Sequence, residues 1–260
     1  MQTLCNIAVN SMKRRNLTVM AQKAILRLRE YNRSRGQDQA AKWCALQAVS
    51  WPEFASALDA DLWCETKSAC SSIQKNATEK LEKLGLDLGG GGHYPLLYFM
   101  VRFMKPREVV ETGVAAGWSS QALLLALREN RRGGKLYSSD FPYFRLKNPE
   151  RYVGCVVDDT LKEHWTLLIE GDRYNLPFIA ERSQTIDLFH YDSDKSYSGR
   201  AFALQCLQPK FSATVAILFD DIQNNFHFKD LVGLRQWAFK IFAFEGKYVG
   251  LTGPFMQARA

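Results

Sequence analysis

The sequence predicts an α/β fold: a mostly parallel, seven-stranded sheet covered by helices on both faces and preceded by an N-terminal helical appendage. Three observations predict it. The chain has 260 residues, which suits one domain with a modest appendage better than two equal domains. Its first third shows apolar residues only at helical spacing. The remainder alternates short apolar segments with helical ones, which is the pattern of a parallel sheet between two layers of helices.

Residues 16–84 are predicted to be helical because apolar positions recur there every three or four residues, for example from Ile73 to Leu84. The glycine run Gly89–Gly92 then gives the backbone too much freedom to continue a helix, so we expect a loop or hinge there. Residues 1–88 are therefore predicted to form the appendage, which covers a pocket or builds a homo-oligomer. Residues 89–260 are predicted to form the core.

The core elements follow from the same periodicities. The predicted strands are Val109–Thr112, Lys135–Ser139, Thr166–Glu170, Ile186–Tyr191, Thr214–Phe219, Tyr248–Leu251 and Phe255–Ala258. The predicted helices are Trp118–Arg128, Ser198–Leu207 and Lys229–Phe244. The last two strands are expected to form a hairpin around Gly253–Pro254, and the long connection Phe141–Glu163 is expected to shape a substrate pocket.

Composition excludes several classes of protein. The chain is 47% hydrophobic, as in globular proteins, and it has neither a membrane-spanning apolar run nor a secretory signal, so we expect a cytoplasmic protein. The six cysteines lack the spacing of a zinc or redox site. The basic residues behind the net charge of +7 are scattered, with local clusters only at Met12–Arg15 and Arg128–Lys135, which favours a solvated basic surface over a nucleic-acid partner.

The clearest motif is a predicted strand that runs into a glycine-containing turn and a helix. Its sequence, Glu111-Thr-Gly-Val-Ala-Ala-Gly-Trp-Ser-Ser, places Gly113 and Gly117 in the turn and Ser119 and Ser120 at the start of the helix. Glycines allow a tight turn and close approach of a ligand, and the helix offers unpaired amides. The spacing differs from the dinucleotide fingerprint and lacks the lysine of a nucleotide-triphosphate loop. We therefore expect a binding turn for another ligand, with Asp140, at the end of the next strand, accepting hydrogen bonds from ribose hydroxyls.

Carboxylates follow two further strands. Asp192, Asp194 and Lys195 come directly after the strand Ile186–Tyr191, and Asp220 and Asp221 end the strand that follows it in the predicted sheet. Neighbouring parallel strands would bring Asp192, Asp220 and Asp221 together, and three carboxylates repel one another strongly without a cation. Oxygen-only ligation predicts Mg²⁺ or another hard divalent ion.

These motifs together resemble the class I S-adenosylmethionine-dependent methyltransferases, over about half the chain, from Tyr94 to Phe226. The resemblance implies a Rossmann-like fold in which Glu111 and the turn glycines flank the methionine part of S-adenosyl-L-methionine. Gly171-Asp172-Arg173 is similar to the segment that meets the adenine, with Arg173 where a small polar residue is commoner. Asp192, Ser119 and Ser120 are counted with the cofactor-binding residues.

Within that class, Asp-x-Asp-Lys-x-Tyr followed by Asp-Asp resembles the metal-dependent small-molecule O-methyltransferases, both the catechol and caffeoyl-coenzyme A type and the macrolide and aminocoumarin sugar type. Asp221 stands where catechol-type enzymes have Asn, which favours either a sugar or polyketide acceptor or a separate bacterial branch with the pattern Val-Glu-Thr-Gly-Val-Ala-x-Gly-x-Ser-Ser. The resemblance implies a small-molecule hydroxyl acceptor and a base that is Lys195 for a phenol or Asp194 for a sugar. Two alternatives stay open: a protein that binds the cofactor without methyl transfer, and a methyltransferase of RNA or protein.

Overall fold

The structure is a computed structural model that describes residues 2–11, 37–86, 88 and 90–257. Its α-helices are α1 (Gln2–Ser11), α2 (Gln37–Gln47), α3 (Trp51–Leu58), α4 (Ala60–Leu84), α5 (Tyr94–Met104), α6 (Trp118–Asn130), α7 (Asp172–Arg182), α8 (Tyr197–Leu207), α9 (His227–Arg235) and α10 (Pro254–Gln257). Its strands are β1 (Ala48–Val49), β2 (Glu108–Thr112), β3 (Lys135–Ser139), β4 (Trp165–Leu168), β5 (Ile186–Tyr191), β6 (Phe211–Phe219), β7 (Phe239–Phe244) and β8 (Lys247–Thr252).

The strands form one sheet in the order β1-β7-β8-β6-β5-β2-β3-β4. All neighbouring pairs are parallel except those that involve β8. The predicted Rossmann-like α/β fold is therefore confirmed, with eight strands in the described part of the chain instead of seven. The chain adds β3 and β4 on one side of β2 and β5 and β6 on the other, so the sheet has its switch point between β2 and β5.

Helices cover both faces of this sheet. Neighbouring strand residues point to opposite sides, so Val109 belongs to one hydrophobic cluster and Val110 to the other. The first cluster packs β-strand side chains against α3, α4, α5 and α6. The second packs them against α2, α7, α8 and α9. Because helices exclude water from both faces of the sheet, the central strands are almost continuously apolar, as the sequence analysis assumed.

The prediction of a single helix over Lys229–Phe244 is wrong. The helix α9 ends at Arg235, where Gln236 takes a left-handed conformation, and the chain continues as β7. Apolar residues continue through this segment at a spacing that suits either structure. Pairing of β7 with β8 on one side and β1 on the other decides the outcome, since this pairing satisfies the backbone polar groups within the sheet.

The closing hairpin also differs from its prediction. It joins β7 to β8 through Glu245 and Gly246, both with positive φ, and not through Gly253–Pro254. The predicted strand Phe255–Ala258 is the short helix α10 over its described residues, and Ala258 itself lies outside them. A proline at the first helical position favours that start, because its missing amide hydrogen would have no helical partner there.

Besides β7 and α10, for which another structure was predicted, and α1, which precedes the predicted helical residues 16–84, the sequence prediction lacked three elements. Two are the helices α5 and α7, whose apolar residues are too continuous or too interrupted to show a helical period. The third is β1, which is only two residues long and pairs Ala48 with Ile241 and Val49 with Phe242. The other predicted core strands and helices are present within a few residues of their predicted bounds.

The described part of the predicted appendage is helical from α2 to α4, apart from β1. The predicted helical residues 16–36 and the glycine Gly89 lie outside the described residues. Lys80 on α4 donates to Val156 O (2.8 Å) and to Asp158 Oδ1 (2.6 Å), which ties α4 to the long connection between β3 and β4. The domain boundary at residue 88 and the role of residues 1–88 as a lid or oligomer interface stay predictions. Within the described residues, every helix is too short or too polar to cross a membrane.

Candidate functional site

The candidate site lies at the carboxyl edge of the sheet, where parallel strands end side by side. The residue that follows each strand bonds to the neighbouring strand: the amide of Asp192 donates to Thr112 O (3.0 Å) and that of Asp220 to Tyr191 O (2.9 Å). This pairing aligns the strand ends, so the side chains that follow β2, β3, β5 and β6 converge. Local backbone pairing therefore builds the site from residues that are far apart in sequence.

A cavity of about 510 Å³ opens at this edge and includes residues that follow both β2 and β5, the strands at the switch point. Ligands of open α/β sheets bind at such a point. The sequence-predicted residues that line it are Gly113, Asp140, Asp172, Arg173, Asp192, Asp194 and Lys195. The other predicted site residues, Glu111, Gly117, Ser119, Ser120, Asp220 and Asp221, are not among its lining residues.

The two glycines of the turn after β2 allow close packing of the chain on itself. A Cβ atom at Gly113 would collide with the backbone of Asp192, and one at Gly117 would lie 2.8 Å from Val157 Cγ2 and 2.9 Å from Gly154 Cα. Both glycines have positive φ, 82° and 100°. The sequence analysis assigned the space at these glycines to a ligand. In the structure other chain segments take that space, although Gly113 also lines the cavity.

Glu111 lies beneath the cavity as a buried anchor. Its Oε2 accepts hydrogen bonds from the hydroxyls of Ser120 (2.6 Å) and Ser138 (2.7 Å), and the carboxylate is fully buried. His190 Nδ1 lies 3.8 Å from Glu111 Oε1. Burial lowers the pKa of His190, but the interaction with Glu111, together with the charges of Asp192 and Asp220, outweighs it, so the pKa is raised overall. Glu111 therefore joins β2 to β3 and α6.

Asp140 both lines the cavity and holds its glycine-containing turn. Its Oδ2 accepts a hydrogen bond from the amide of Ala115 (2.8 Å), a residue with φ of 50°, and its Oδ1 accepts one from Phe141 (2.7 Å). An ionised carboxylate has about four acceptor positions. Asp140 can therefore fix the turn and also accept hydrogen bonds from the hydroxyls of a ligand.

Asp172 and Arg173 occupy the start of α7 on the other side of Asp140. Asp172 accepts hydrogen bonds from Ser139 Oγ (2.7 Å) and from Ser193 Oγ, so its carboxylate joins α7 to the ends of β3 and β5. The guanidinium of Arg173 lies 5.0 Å from the centre of the Phe202 ring. Both of these side chains line the cavity. They provide a flat, partly apolar wall of the kind that an aromatic base can stack on.

The predicted acidic cluster forms. Asp192, Asp220 and Asp221 each bring a carboxylate oxygen within 4.8 Å of the others. Asp192 Oδ1 and Asp220 Oδ2 are buried and have no hydrogen-bond partner among the described residues. Burial raises the pKa of Asp192 to about 7, with a further contribution from the charge of Asp220. The three carboxylates thus form a buried acidic site at the edge of the cavity, with two oxygens that lack hydrogen-bond partners among the described residues.

Two lysines from different elements, the loop after β5 and the strand β8, face this cluster. Lys195 Nζ makes a close ion pair with Asp221 Oδ2 and lies 3.5 Å from Asp192 Oδ1. Lys247, at the start of β8, places its Nζ 3.8 Å from both Asp220 Oδ2 and Asp221 Oδ2. Both lysines line the cavity. The ammonium groups of the two lysines therefore lie between the acidic cluster and the space that a substrate would occupy.

Asp194 is oriented by its own loop. Its Oδ1 accepts a hydrogen bond from the amide of Ser196 (3.1 Å), and its carbonyl oxygen accepts one from the hydroxyl of Tyr191 (2.6 Å). A Cβ at Gly199 would lie 2.9 Å from Asp194 Oδ2, so the carboxylate packs against the start of α8. Of the two candidate bases, Lys195 is the one in contact with the acidic cluster.

Sequence analysis missed Lys247 and the role of Gly92. Lys247 followed a segment predicted as helix, so nothing placed it at the carboxyl edge. The glycine run was interpreted only as a hinge, whereas a Cβ at Gly92 would lie 3.1 Å from Asp220 Oδ2 and 3.4 Å from Asp192 Oδ2. The absence of a side chain at Gly92 therefore leaves room beside the carboxylates. The available signal in the sequence was the run of four consecutive glycines, because residues without side chains suit a position close to the carboxylates.

Comparison with known proteins identifies the domain. A family model described as a methyltransferase domain matches residues 110–222, the segment that contains the glycine turn, Asp140 and the acidic cluster. No curated protein matches the chain. The predicted enzyme class, an S-adenosylmethionine-dependent methyltransferase, is confirmed.

Solved structures share the fold at low sequence identity. An O-methyltransferase from Bacillus cereus in complex with SAH is 14% identical, with a TM-score of 0.53, over 71% of this chain and 90% of that one. The O-methyltransferase TomG from Streptomyces achromogenes, involved in tomaymycin synthesis and solved in complex with SAM, is 15% identical, with a TM-score of 0.53, over 69% of this chain and 86% of that one. The likeness establishes the class I methyltransferase fold.

The raised pKa of Asp192 has a consequence for stability when divalent ions are removed. A carboxyl group whose pKa rises from 3.8 to about 7 on folding contributes stability that is fully present below pH 3.8 and is lost as the pH rises through 7. We therefore expect Asp192→Asn, in the presence of chelator, to raise the free energy of unfolding at pH 8 by about 1–3 kcal/mol. At pH 4 the gain should be absent.

Denaturant unfolding of the two proteins at pH 4 and pH 8 measures this difference. Asp159→Asn is the matched control, because Asp159 is fully exposed, lies outside the acidic cluster and forms an ion pair with Lys162. Equal stabilisation by Asp192→Asn at both pH values, or none at pH 8, would contradict the expected burial of charge.

Proposed function

We propose that this chain, an S-adenosylmethionine-dependent methyltransferase with a class I fold, methylates a hydroxyl oxygen of a small molecule with the help of a divalent cation. The observation that carries the proposal is the position of the acidic cluster. It lies beside the same cavity that Gly113, Asp140 and Asp172 line, so a cofactor and a cation-bound acceptor would meet there. The O-methyltransferase names of the structural neighbours add support.

The cofactor half of the cavity is assigned to the residues that follow β2, β3 and β4. Asp140 would accept hydrogen bonds from the ribose, Gly113 would lie against the methionine part, and Arg173 with Phe202 would flank the adenine. When bound, S-adenosylmethionine supplies a methyl group that its sulfonium has already activated. The protein then has mainly to position the two reactants and exclude water.

A divalent cation fits the acidic cluster. The three carboxylates offer only oxygen ligands, two of their buried oxygens lack partners among the described residues, and Gly92 leaves space beside them. Asp192, Asp220 and Asp221 would hold the ion, and the ion would supply a positive charge that lowers the pKa of an acceptor hydroxyl. Lys195, which now contacts Asp221, would have to give up part of that contact.

Lys195 is the better candidate for the residue that takes the acceptor's proton. Its Nζ faces both the cavity and the cluster, whereas the Asp194 carboxylate is held by Ser196 and packs against Gly199. A lysine suits a relatively acidic hydroxyl such as a phenol, because an amine takes a proton from a phenol more readily than from an alcohol. This argument favours a phenolic acceptor, against the sugar or polyketide that Asp221 suggests by resemblance.

The expected role of Asp140 can be tested by cofactor affinity. Asp140→Asn keeps the size of the side chain but removes the charge that strengthens hydrogen bonds from ribose hydroxyls. Calorimetry should show weaker binding of S-adenosylhomocysteine by about 1.5–3 kcal/mol, the cost of lost charge-assisted hydrogen bonds. Asp159→Asn, the same change at an exposed position outside the cavity, should bind normally. Unchanged affinity in Asp140→Asn would remove the assignment of this half of the cavity.

The metal can be tested by transfer of labelled methyl from S-adenosylmethionine to a panel of phenols, sugars and polyketides. We expect transfer to require Mg²⁺ or Mn²⁺ and to stop on chelation, while binding of S-adenosylhomocysteine survives chelation. Gly92→Ala should weaken Mn²⁺ binding about tenfold or more, the scale reported for residues that shape a metal site. Its methyl group would crowd Asp220 and Asp192.

Gly233→Ala is the control for that variant, because a Cβ at Gly233 meets nothing within 4 Å. Normal transfer in a chelated, metal-free protein would refute the metal. Binding of the cofactor with no transfer to any acceptor would favour the alternative of a binding protein, and transfer to RNA or protein would favour the other alternative.

The base can be identified by turnover at saturating cofactor and metal. Lys195→Met should lose about 100-fold or more in kcat, the typical contribution of a proton-transfer residue, with affinity for S-adenosylhomocysteine retained. Asp194→Asn should lose much less. The opposite order would assign the proton to Asp194 and, with it, a sugar-like acceptor.

A further inference from the structure

Arg200 is a fully buried arginine directly behind the acidic cluster. It lies on α8, and its side chain has no exposure to solvent. A buried guanidinium is costly unless its donors and its charge find partners. The hydrogen-bond partners of the guanidinium therefore indicate the structural role of Arg200.

The guanidinium holds the turn that carries two of the proposed metal ligands. Arg200 Nη2 donates hydrogen bonds to the carbonyl oxygens of Asp220 (2.9 Å) and Asp221 (2.8 Å). Asp221 has a φ of 51°, a left-handed conformation that a non-glycine residue adopts only when the surroundings enforce it. One planar side chain thus fixes the backbone conformation that turns both carboxylates toward Asp192.

Arg200 and Asn225 form a hydrogen-bonded clamp, and Asn225 connects it to the loop that carries Lys195. Its Oδ1 accepts hydrogen bonds from Arg200 Nη1 (3.1 Å) and from the amide of His227 (3.0 Å), and its Nδ2 donates to Lys195 O (2.8 Å). Arg200 and Asn225 together therefore connect the turn after β6 with the loop after β5. These two segments contain all the residues proposed for metal binding and proton transfer.

The charge of Arg200 also matches its position. In the hydrogen bonds described, its guanidinium donates to carbonyl and amide oxygens and not to a carboxylate. Burial lowers the pKa of Arg200, whereas nearby anions, Asp220 and Asp192 among them, act against that shift. The guanidinium thus offsets part of the repulsion in the cluster without occupying any of the carboxylate oxygens.

We propose that Arg200 and Asn225 are positioning residues of the catalytic centre, which set the metal ligands and the Lys195 loop in register. The proposal rests on the proposed function, since it assigns a role toward the metal and the base. Neither residue lines the cavity, so each acts through the backbone of the residues that do.

The first test compares metal and cofactor affinity in Asn225→Ala, Arg200→Lys and the control Asn224→Ala. Asn224 neighbours Asn225, but its side chain accepts a hydrogen bond from Gln37 at the surface. With S-adenosylhomocysteine bound, Asn225→Ala and Arg200→Lys should weaken Mn²⁺ binding by about 10–100-fold, the range for residues that orient metal ligands. Lysine keeps the charge but cannot form the planar fork that spans two carbonyls and an amide. Affinity for S-adenosylhomocysteine should change less than about twofold, because the residues assigned to it, apart from Phe202 on α8, follow β2, β3 and β4.

The second test is amide hydrogen exchange of the metal-free proteins, which does not depend on the metal proposal. Asn225→Ala should speed exchange in residues 192–196 and 220–225 and leave residues 111–118 unchanged, whereas Asn224→Ala should change none of these segments. If wild-type protein binds no Mn²⁺ but the exchange pattern holds, the metal fails and the clamp stands. Unchanged exchange in both loops, or equal loss of Mn²⁺ and cofactor affinity in the variants, overturns the positioning role.

Discussion

Repulsion among three carboxylates is the constraint around which the site is built. Parallel pairing of β5 and β6 brings Asp192, Asp220 and Asp221 together at a partly buried edge, where their charges are poorly screened. The chain answers with cations from three different elements: Lys195 from the loop after β5, Lys247 from β8 and Arg200 from α8. The lysines face the cavity and can be displaced, whereas the arginine is buried behind the turn. The negative charge of the cluster is therefore offset on one side by the buried Arg200 and on the other by two lysines that a ligand could displace.

The fold supplies this arrangement through strand ends and not through a single motif. The turn after β2, the long connection and α4 pack closely together, because Gly117 accommodates Gly154 and Val157 and Lys80 bonds to the same connection. The helix α4 thereby supports the turn after β2 as well as one face of the sheet. Glycine in the binding turn serves backbone packing first. Access for a ligand follows from that packing.

Sequence alone predicted the part of the structure that depends on local pattern. The strands before Gly113, Asp140, Asp192 and Asp220 are short apolar runs that end in polar residues, and parallel strands must end at one edge, so the cluster could be foreseen. The helix-to-strand change after Arg235 could not, because it depends on pairing of β7 with β8 and β1. The position of Lys247 at the cluster was missed because of the same error, since Lys247 follows this segment. Arg200 was invisible for another reason: an arginine on a helix is ordinarily exposed, and only the tertiary structure shows its burial.

The contact between Lys195 and Asp221 would connect the proposed metal site with the proposed base. An ammonium group that pairs with a carboxylate is stabilised in its charged form, and a charged lysine cannot accept a proton. A divalent cation held by the same carboxylates would compete for the oxygen that Lys195 contacts and would repel its ammonium group. Lys247, 3.8 Å from two of the carboxylates, experiences the same competition but is not tied by a close ion pair. The acidic cluster would therefore tie cation binding to displacement of the Lys195 side chain, and the hydrogen bonds from Arg200 to Asp221 O and from Asn225 to Lys195 O hold the two backbone segments between which this exchange would occur.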